Sequence, residues 1–422
     1  MKRILGGILA AGIAACPVVA TVGVALPSLA QDGGVTEAVL WEVLEQAAQQ
    51  TQQGKPQEAI ATFQRVLRIA QQQQYREIEA FALQGIGFSQ HNMGQREPAI
   101  EAFNQALSIF QELNDRPGEA DTLNNIGVVY EALGERQKAL DYLNQALPIV
   151  RKLNDRSGEA DTLNNIGGVF NALGQRQKAL DYYQRALSIV RKLNDRSGEA
   201  STLSNIGVVY NALGERQKAL DYFNQALPIH QEVSDRPGEA STLNNIGTVY
   251  DALGQRQKAL DYYQRALPIF KEVDDFPGKA VTLSNIGSVY RATGQRQKAL
   301  DYYQRALPIF KEAGDLPGEA IMLNKIGSVY RATGQRQKAL DYYQRALPIF
   351  REVGDRSGEA TTLSNIGGVY KDLGQSQKAL DYVERALPIF REVGDRPGEA
   401  ITLSNIGSVY RDTNQPGKAI EF

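Results

Sequence analysis

The chain has 422 residues, with 46 Lys and Arg against 48 Asp and Glu, one cysteine and two histidines. Balanced charge argues against the basic footprint of a nucleic-acid binder. A single cysteine excludes a disulfide framework, and His91 and His230 lie too far apart for metal-ligand spacing. Length alone would allow two or three globular domains, but internal repetition overrides that expectation.

In chain order, Met1, Lys2 and Arg3 give a positive start, and residues 4–26 are apolar and small. Ser28 and Ala30 place small residues at −3 and −1 of a signal-peptidase site, so residues 1–30 read as a signal peptide cleaved before Gln31. The mature protein is then expected to be exported, periplasmic or secreted. Two alternatives stay open. Ile13, Ala14, Ala15 and Cys16 resemble a bacterial lipobox, with Pro17 standing against it, and the apolar stretch is long enough to remain as an anchor. A membrane contact is expected only if Cys16 is lipidated or the leader is retained.

After a polar lead at 31–36, the chain repeats every 40 residues to its last residue. Residues 31–117 are atypical and cap-like: Gln50 and Gln90 replace a recurrent tyrosine, and glutamines fill 71–74. Residues 118–422 form a regular array. The segment GQRQKALDYYQRALPIF occurs unchanged at 254–270, 294–310 and 334–350. It alternates with an L-[N/S]-N-I-G block whose one departure is Lys325.

Within 118–157, Leu123, Ile126, Gly127 and Tyr130 fall at the spacing of one helix face. Gly134 breaks that helix. A second follows, with Ala139, Leu140, Leu143, Ala146, Leu147 and Val150 as its buried stripe. Asp155 can cap the next helix, and Pro117, Pro237 or Pro397 can occupy its first turn. Pro148 and its equivalents lie inside the second helix; because Ile149 and Val150 continue the stripe, the helix is expected to run on with a bend rather than stop. The last unit ends at Phe422, about one turn into its second helix, and so reads as truncated.

The small and large residues at Gly127, Tyr130, Gly134, Ala139, Leu143 and Ala146 resemble the tetratricopeptide repeat (TPR). The resemblance covers nearly everything after residue 37. The longer period and the L-N-N-I-G helix look like the repeats of kinesin light chains and LGN/Pins proteins, and like bacterial arrays that precede caspase-like CHAT peptidase domains. The expected fold is all-α: a right-handed α-solenoid, or TPR superhelix, of stacked antiparallel helix pairs. The resemblance implies a non-enzymatic scaffold that binds proteins or extended peptides in a concave groove. The competing expectation is a sensor arm of a CHAT-type peptidase whose catalytic residues lie beyond Phe422. A purely architectural spacer is a third.

No Cys/His cluster, nucleophile with an adjacent base, or glycine-rich phosphate loop appears, so no catalytic residue, metal or cofactor is expected; the two histidines read as surface or edge residues. Helix geometry puts Asp121, Asn124, Asn125, Val128 and Ala132 opposite the buried face of the first helix. Asn125, Asn165, Asn205, Asn245, Asn285, Asn365 and Asn405 recur there, with Asn124, Asn164 and Asn244 just before three of them. An amide both donates and accepts. Helices about 8–10 Å apart would meet an extended peptide about every third residue, at about 3.3 Å each. The asparagines therefore suit either a peptide or a structural ladder among themselves. Charge also drifts along this face, from Glu131, Asn171, Asn211 and Asp251 to Arg291, Arg331, Lys371 and Arg411. Asp121, Asp161, Ser201 and Ser241 likewise give way to Val281, Ile321, Thr361 and Ile401. The partner expected in the C-terminal half is an acidic, partly apolar segment.

Overall fold

The computed structural model describes residues 35–412. The expected signal peptide, Cys16 and the unit ending at Phe422 lie wholly or partly outside them. Among the described residues, nineteen α-helices and no strands are found. We number them α1 to α19. The first is Glu37–Gln52, the next three are Pro56–Gln73, Arg76–Asn92 and Arg96–Glu112, and a regular unit is α5 (Arg116–Ala132) with α6 (Arg136–Lys152). Odd-numbered helices are the first of each pair and even-numbered ones the second.

Each regular first helix starts for the same local reason. Asp115, Asp155 and Asp195 accept the amides of Gly118, Gly158 and Gly198 at 2.9–3.1 Å, which satisfies a donor the helix end would leave open. Ends are set by residues such as Gly134, whose φ of 77° admits glycine without strain and turns the chain into the second helix. The second helices run through Pro148, Pro228, Pro268, Pro308, Pro348 and Pro388 to their last turn, as the continuing apolar stripe requires.

Pairs close on one another through the small residues. A Cβ on Gly127 would sit 2.7 Å from Leu143, and one on Gly287 would sit 2.6 Å from Tyr303. The helices therefore pack at a distance only glycine allows. That recoups the roughly 1 kcal/mol an interior helical glycine loses relative to alanine. The space is filled by the buried Leu143, Tyr183, Phe223, Tyr263, Tyr303 and Tyr343.

The helices divide into two compact units, residues up to Gly238 and residues from Glu239. In the first, Trp41, Phe81 and Phe110 form an edge-to-face chain across α1 to α4, and the stripe through Ala139, Leu143, Ala179, Tyr183 and Ala186 forms the next core. In the second, α13 (Phe276–Ala292), α14 (Arg296–Glu312), α15 (Leu316–Ala332), α16 (Arg336–Glu352), α17 (Arg356–Asp372) and α18 (Ser376–Glu392) stack on cores centred on Tyr303, Ile326, Tyr343 and Phe390.

Candidate functional site

The face of the first helices turned away from their partners carries the residues singled out by sequence, and three pairs of asparagines on it are bonded to each other. In the N-terminal unit, Asn165 Nδ2 donates to Asn124 Oδ1 at 3.1 Å, and Asn164 Nδ2 donates to Thr202 Oγ1 at 2.8 Å. In the C-terminal unit, Asn285 donates to Asn244 at 3.2 Å and Asn365 to Asn324 at 3.0 Å. These bonds join one repeat to the next. Asn124 and Asn125 are buried; Asn164, Asn205, Asn244, Asn245 and Asn405 are half-buried on the same face. A ladder is therefore present between repeats, and its outer atoms border the surface a peptide would meet.

The charged positions divide sharply. In the N-terminal unit, Asp121 of α5 is half-buried, and burial with the neighbouring Asp155, Asp161 and Asp115 raises its carboxyl to about 7. Asp161 of α7 (Arg156–Ala172) is raised to about 7 by burial, Asp195 and Asp155. These carboxylates crowd one another as each repeat adds one.

In the C-terminal unit, Val281, Ile321 and Ile401 occupy the equivalent position and are exposed. Of the cations, Arg331 is tied to Asp372 at 2.8 Å and lies over Gly368, where a Cβ would meet its guanidinium at 2.5 Å. Lys371 Nζ donates to Ser408 Oγ at 2.5 Å. Arg411 is exposed. Arg291 is exposed and has no ion pair among the described residues. It borders a cleft of about 380 Å³ lined also by Ile321, Asn324, Lys325, Phe350 and Thr361.

Lys325 departs most from expectation. Standing where the ladder has asparagine, its Nζ donates to Ser284 Oγ at 2.8 Å and Ser288 Oγ at 3.2 Å. It also lies 5.6 Å from the Tyr303 ring centroid. Burial, with Arg291 as second cause, lowers its amine to about 8. The sequence signal was its position as the one break in the asparagine series.

His230 corrects the expectation of a surface histidine. It is 2% exposed and fills a core position at the end of α10 (Arg216–Glu232), with Nδ1 2.7 Å from Asp235 Oδ2. Burial alone would raise Asp235, but the His230 bond and the Gly238 amide hold it below its ordinary value. A further missed feature is the outer aromatic stack of each regular pair, as in Tyr130 on Tyr142 at 5.4 Å with Lys138 above. Among the described residues no group of His, Cys, Asp and Glu could hold a metal, and no helix is long and apolar enough to cross a membrane.

Repeated helix pairs closed by small residues, with a ladder joining their first helices, define the class of stacked helical-repeat proteins. The tetratricopeptide repeat model matches residues 38–112, 79–152, 118–192, 158–232, 198–272, 278–352 and 358–422, and the chain belongs to that family. No curated protein matches the sequence.

Several solved structures share the fold. A STAND (Signal Transduction ATPase with Numerous Domains) protein with a tetratricopeptide repeat sensor from Pyrococcus horikoshii is 17% identical with a TM-score of 0.59, over 76% of this chain and 52% of that one. The chain thus spans about half the length of that ATPase. A Rap protein complexed with competence and sporulation factor is 16% identical with a TM-score of 0.60, over 84% of this chain and 98% of that one. The apo quorum sensor NprR from B. thuringiensis is 16% identical with a TM-score of 0.59, over 84% and 99%.

Proposed function

We propose that this chain is an exported, non-enzymatic scaffold, periplasmic or secreted, that binds a protein or extended peptide along the outward faces of its first helices. An acidic, partly apolar segment docks in the C-terminal unit. The observation that carries this reading is the unpaired Arg291 together with the exposed Val281 and Ile321, one repeat apart, and Ile401 two repeats further on. Charge attracts and registers the ligand, and apolar side chains every few residues add burial. Nucleic acid is not the partner, since the overall charge is near balance. The Rap structure, a fold relative complexed with competence and sporulation factor, supports a binding role.

A second reading is favoured by the STAND protein, whose repeats are named a sensor within a larger ATPase. By analogy this array would be the regulatory arm of a larger enzyme such as a CHAT-type peptidase. The same face would then receive the signal.

The test is hydrogen–deuterium exchange of the full chain with a labelled peptide alternating glutamate and leucine. Protection confined to α13, α15, α17 and α19 (Arg396–Asp412) supports the proposal. Protection of the N-terminal unit instead, or none at saturating peptide, overturns it. Export is checked by the mass of the native protein, expected to begin at Gln31.

A further inference from the structure

Arg291 and Arg331 hold equivalent places near the ends of neighbouring first helices, α13 and α15, yet they meet different surroundings. One first helix further on, the corresponding residues are Ser328 and Ala332 for Arg291, and Gly368 and Asp372 for Arg331. Arg291 is exposed and has no ion pair among the described residues. Arg331 is gripped at two points: its Nε donates to Asp372 Oδ2 at 2.8 Å and its Nη2 to Asp372 Oδ1 at 3.5 Å. Asp372 departs from the repeat, since Ala132, Ala172, Ala212, Ala252, Ala292 and Ala332 precede it at that position. Gly368 makes the pose possible, because a Cβ there would lie 2.5 Å from Nη1 and 2.6 Å from Nη2 of Arg331. Ser288, Ser328 and Ser408 hold that position elsewhere in the unit. An added carboxylate and a missing side chain thus converge on one arginine. Both partners stay 33% exposed on the outward face, within reach of a ligand.

We infer that Asp372 is a built-in stand-in for a ligand carboxylate, which occupies Arg331 and sets which acidic segments the C-terminal unit accepts. The inference rests on the docking reading above and names a specificity-determining residue of that face. A carboxylate held on the neighbouring helix competes at an effective concentration of about millimolar order. A segment with one acidic residue is therefore held at Arg291, where nothing has to be displaced. A segment with several acidic residues can also engage Arg331, by exchanging its own carboxylate for that of Asp372. Helices about 8–10 Å apart place the second carboxylate about two or three extended residues from the first. The exchange keeps the guanidinium paired throughout, and the released Asp372 turns to solvent. Because exposed ion pairs are weak, the contact trims affinity and does not close the site. It favours segments with several carboxylates, which can pay for the exchange while already anchored at Arg291.

The experiment measures affinity of the full chain for the labelled glutamate–leucine peptide and for a version keeping one glutamate, with glutamine at the others. Asp372→Ala restores the residue of the six preceding repeats. It should strengthen the many-glutamate peptide about three- to fivefold at low salt. The single-glutamate peptide should gain no more than about twofold, the effect of a second equal site. The larger gain should vanish when Arg331→Gln is added, which separates release of the arginine from mere loss of a negative charge. Gly368→Ser should crowd the guanidinium off Asp372 and give part of the gain with no change of charge. Without any peptide, phenylglyoxal labelling of Arg331, mapped by peptide mass, should rise several-fold in Asp372→Ala while Arg291 is unaffected. Equal peptide affinity in wild type and Asp372→Ala, a gain that persists with Arg331→Gln, or unchanged labelling of Arg331 overturns this inference and leaves the docking reading standing. No binding by wild type or any variant overturns the docking reading, and this inference with it.

Discussion

The two units are built from nearly the same repeat, yet their outward faces oppose each other in charge and in protonation. In the N-terminal unit, Asp121 and Asp161 crowd other carboxylates and hold their protons to about pH 7. In the C-terminal unit Val281, Ile321 and Ile401 stand at equivalent positions, and a lysine that is half-buried and beside an arginine releases its proton near pH 8. Buried positions hardly change between the units, because a close-packed pair tolerates little volume change. A solvent-facing position does not constrain the pair, so divergence collects there. The contrast teaches that the repeat fixes the frame and that function is written on the face left free.

The largest effect expected is one that should fail to distinguish the units. Gly207→Leu and Gly287→Leu would each drive a side chain into Phe223 or Tyr303. Each should cost about 3 kcal/mol of stability, read by denaturant unfolding. A clear inequality would mean that the two cores are not equivalent.

Next come opposite pH dependences. A raised carboxyl makes the folded state bind more protons than the unfolded chain between about pH 4 and 7, so stability falls as pH rises through that window. Asp121→Asn with Asp161→Asn should therefore raise Tm at pH 8 and flatten the decline. Lys325 behaves in the other sense. Its lowered amine makes the folded state bind fewer protons between about pH 8 and 10.5, so the penalty it carries at pH 7 fades as pH rises through that window. Lys325→Asn should raise Tm at pH 7, with the gain shrinking toward pH 10. Parallel slopes for the two sets of variants would remove the protonation contrast.

The smallest effect concerns the ladder common to both units. Asn164→Ala removes the bond to Thr202, and Asn365→Ala removes the bond to Asn324. Each should cost about 1 kcal/mol in unfolding experiments.

Much of the frame was legible in the sequence. Gly127 with Leu143, the Asp155 cap and the helix running through Pro148 follow from spacing and local chemistry, which one repeat contains by itself. The drift from Asp121 to Ile321 was legible because the period aligns equivalent positions. What escaped depends on neighbours a repeat away. Arg331 and Lys371 read as free cations, but Asp372 and Ser408 engage them across repeats. The lowered amine of Lys325 depends first on its burial and then on Arg291, contributed by the preceding first helix. His230 read as a surface group because the equivalent valine and phenylalanine positions do not suggest a polar core, although Asp235 five residues on was a usable signal.

The most direct test of the central claim is binding of the labelled glutamate–leucine peptide to the wild-type chain and to a variant with Arg291, Arg331 and Lys371 all changed to Glu. The account predicts at least about a tenfold loss of affinity, steepest at low salt, with Arg291→Glu alone giving more of it than Arg331→Glu. Unchanged affinity in the triple variant would contradict it.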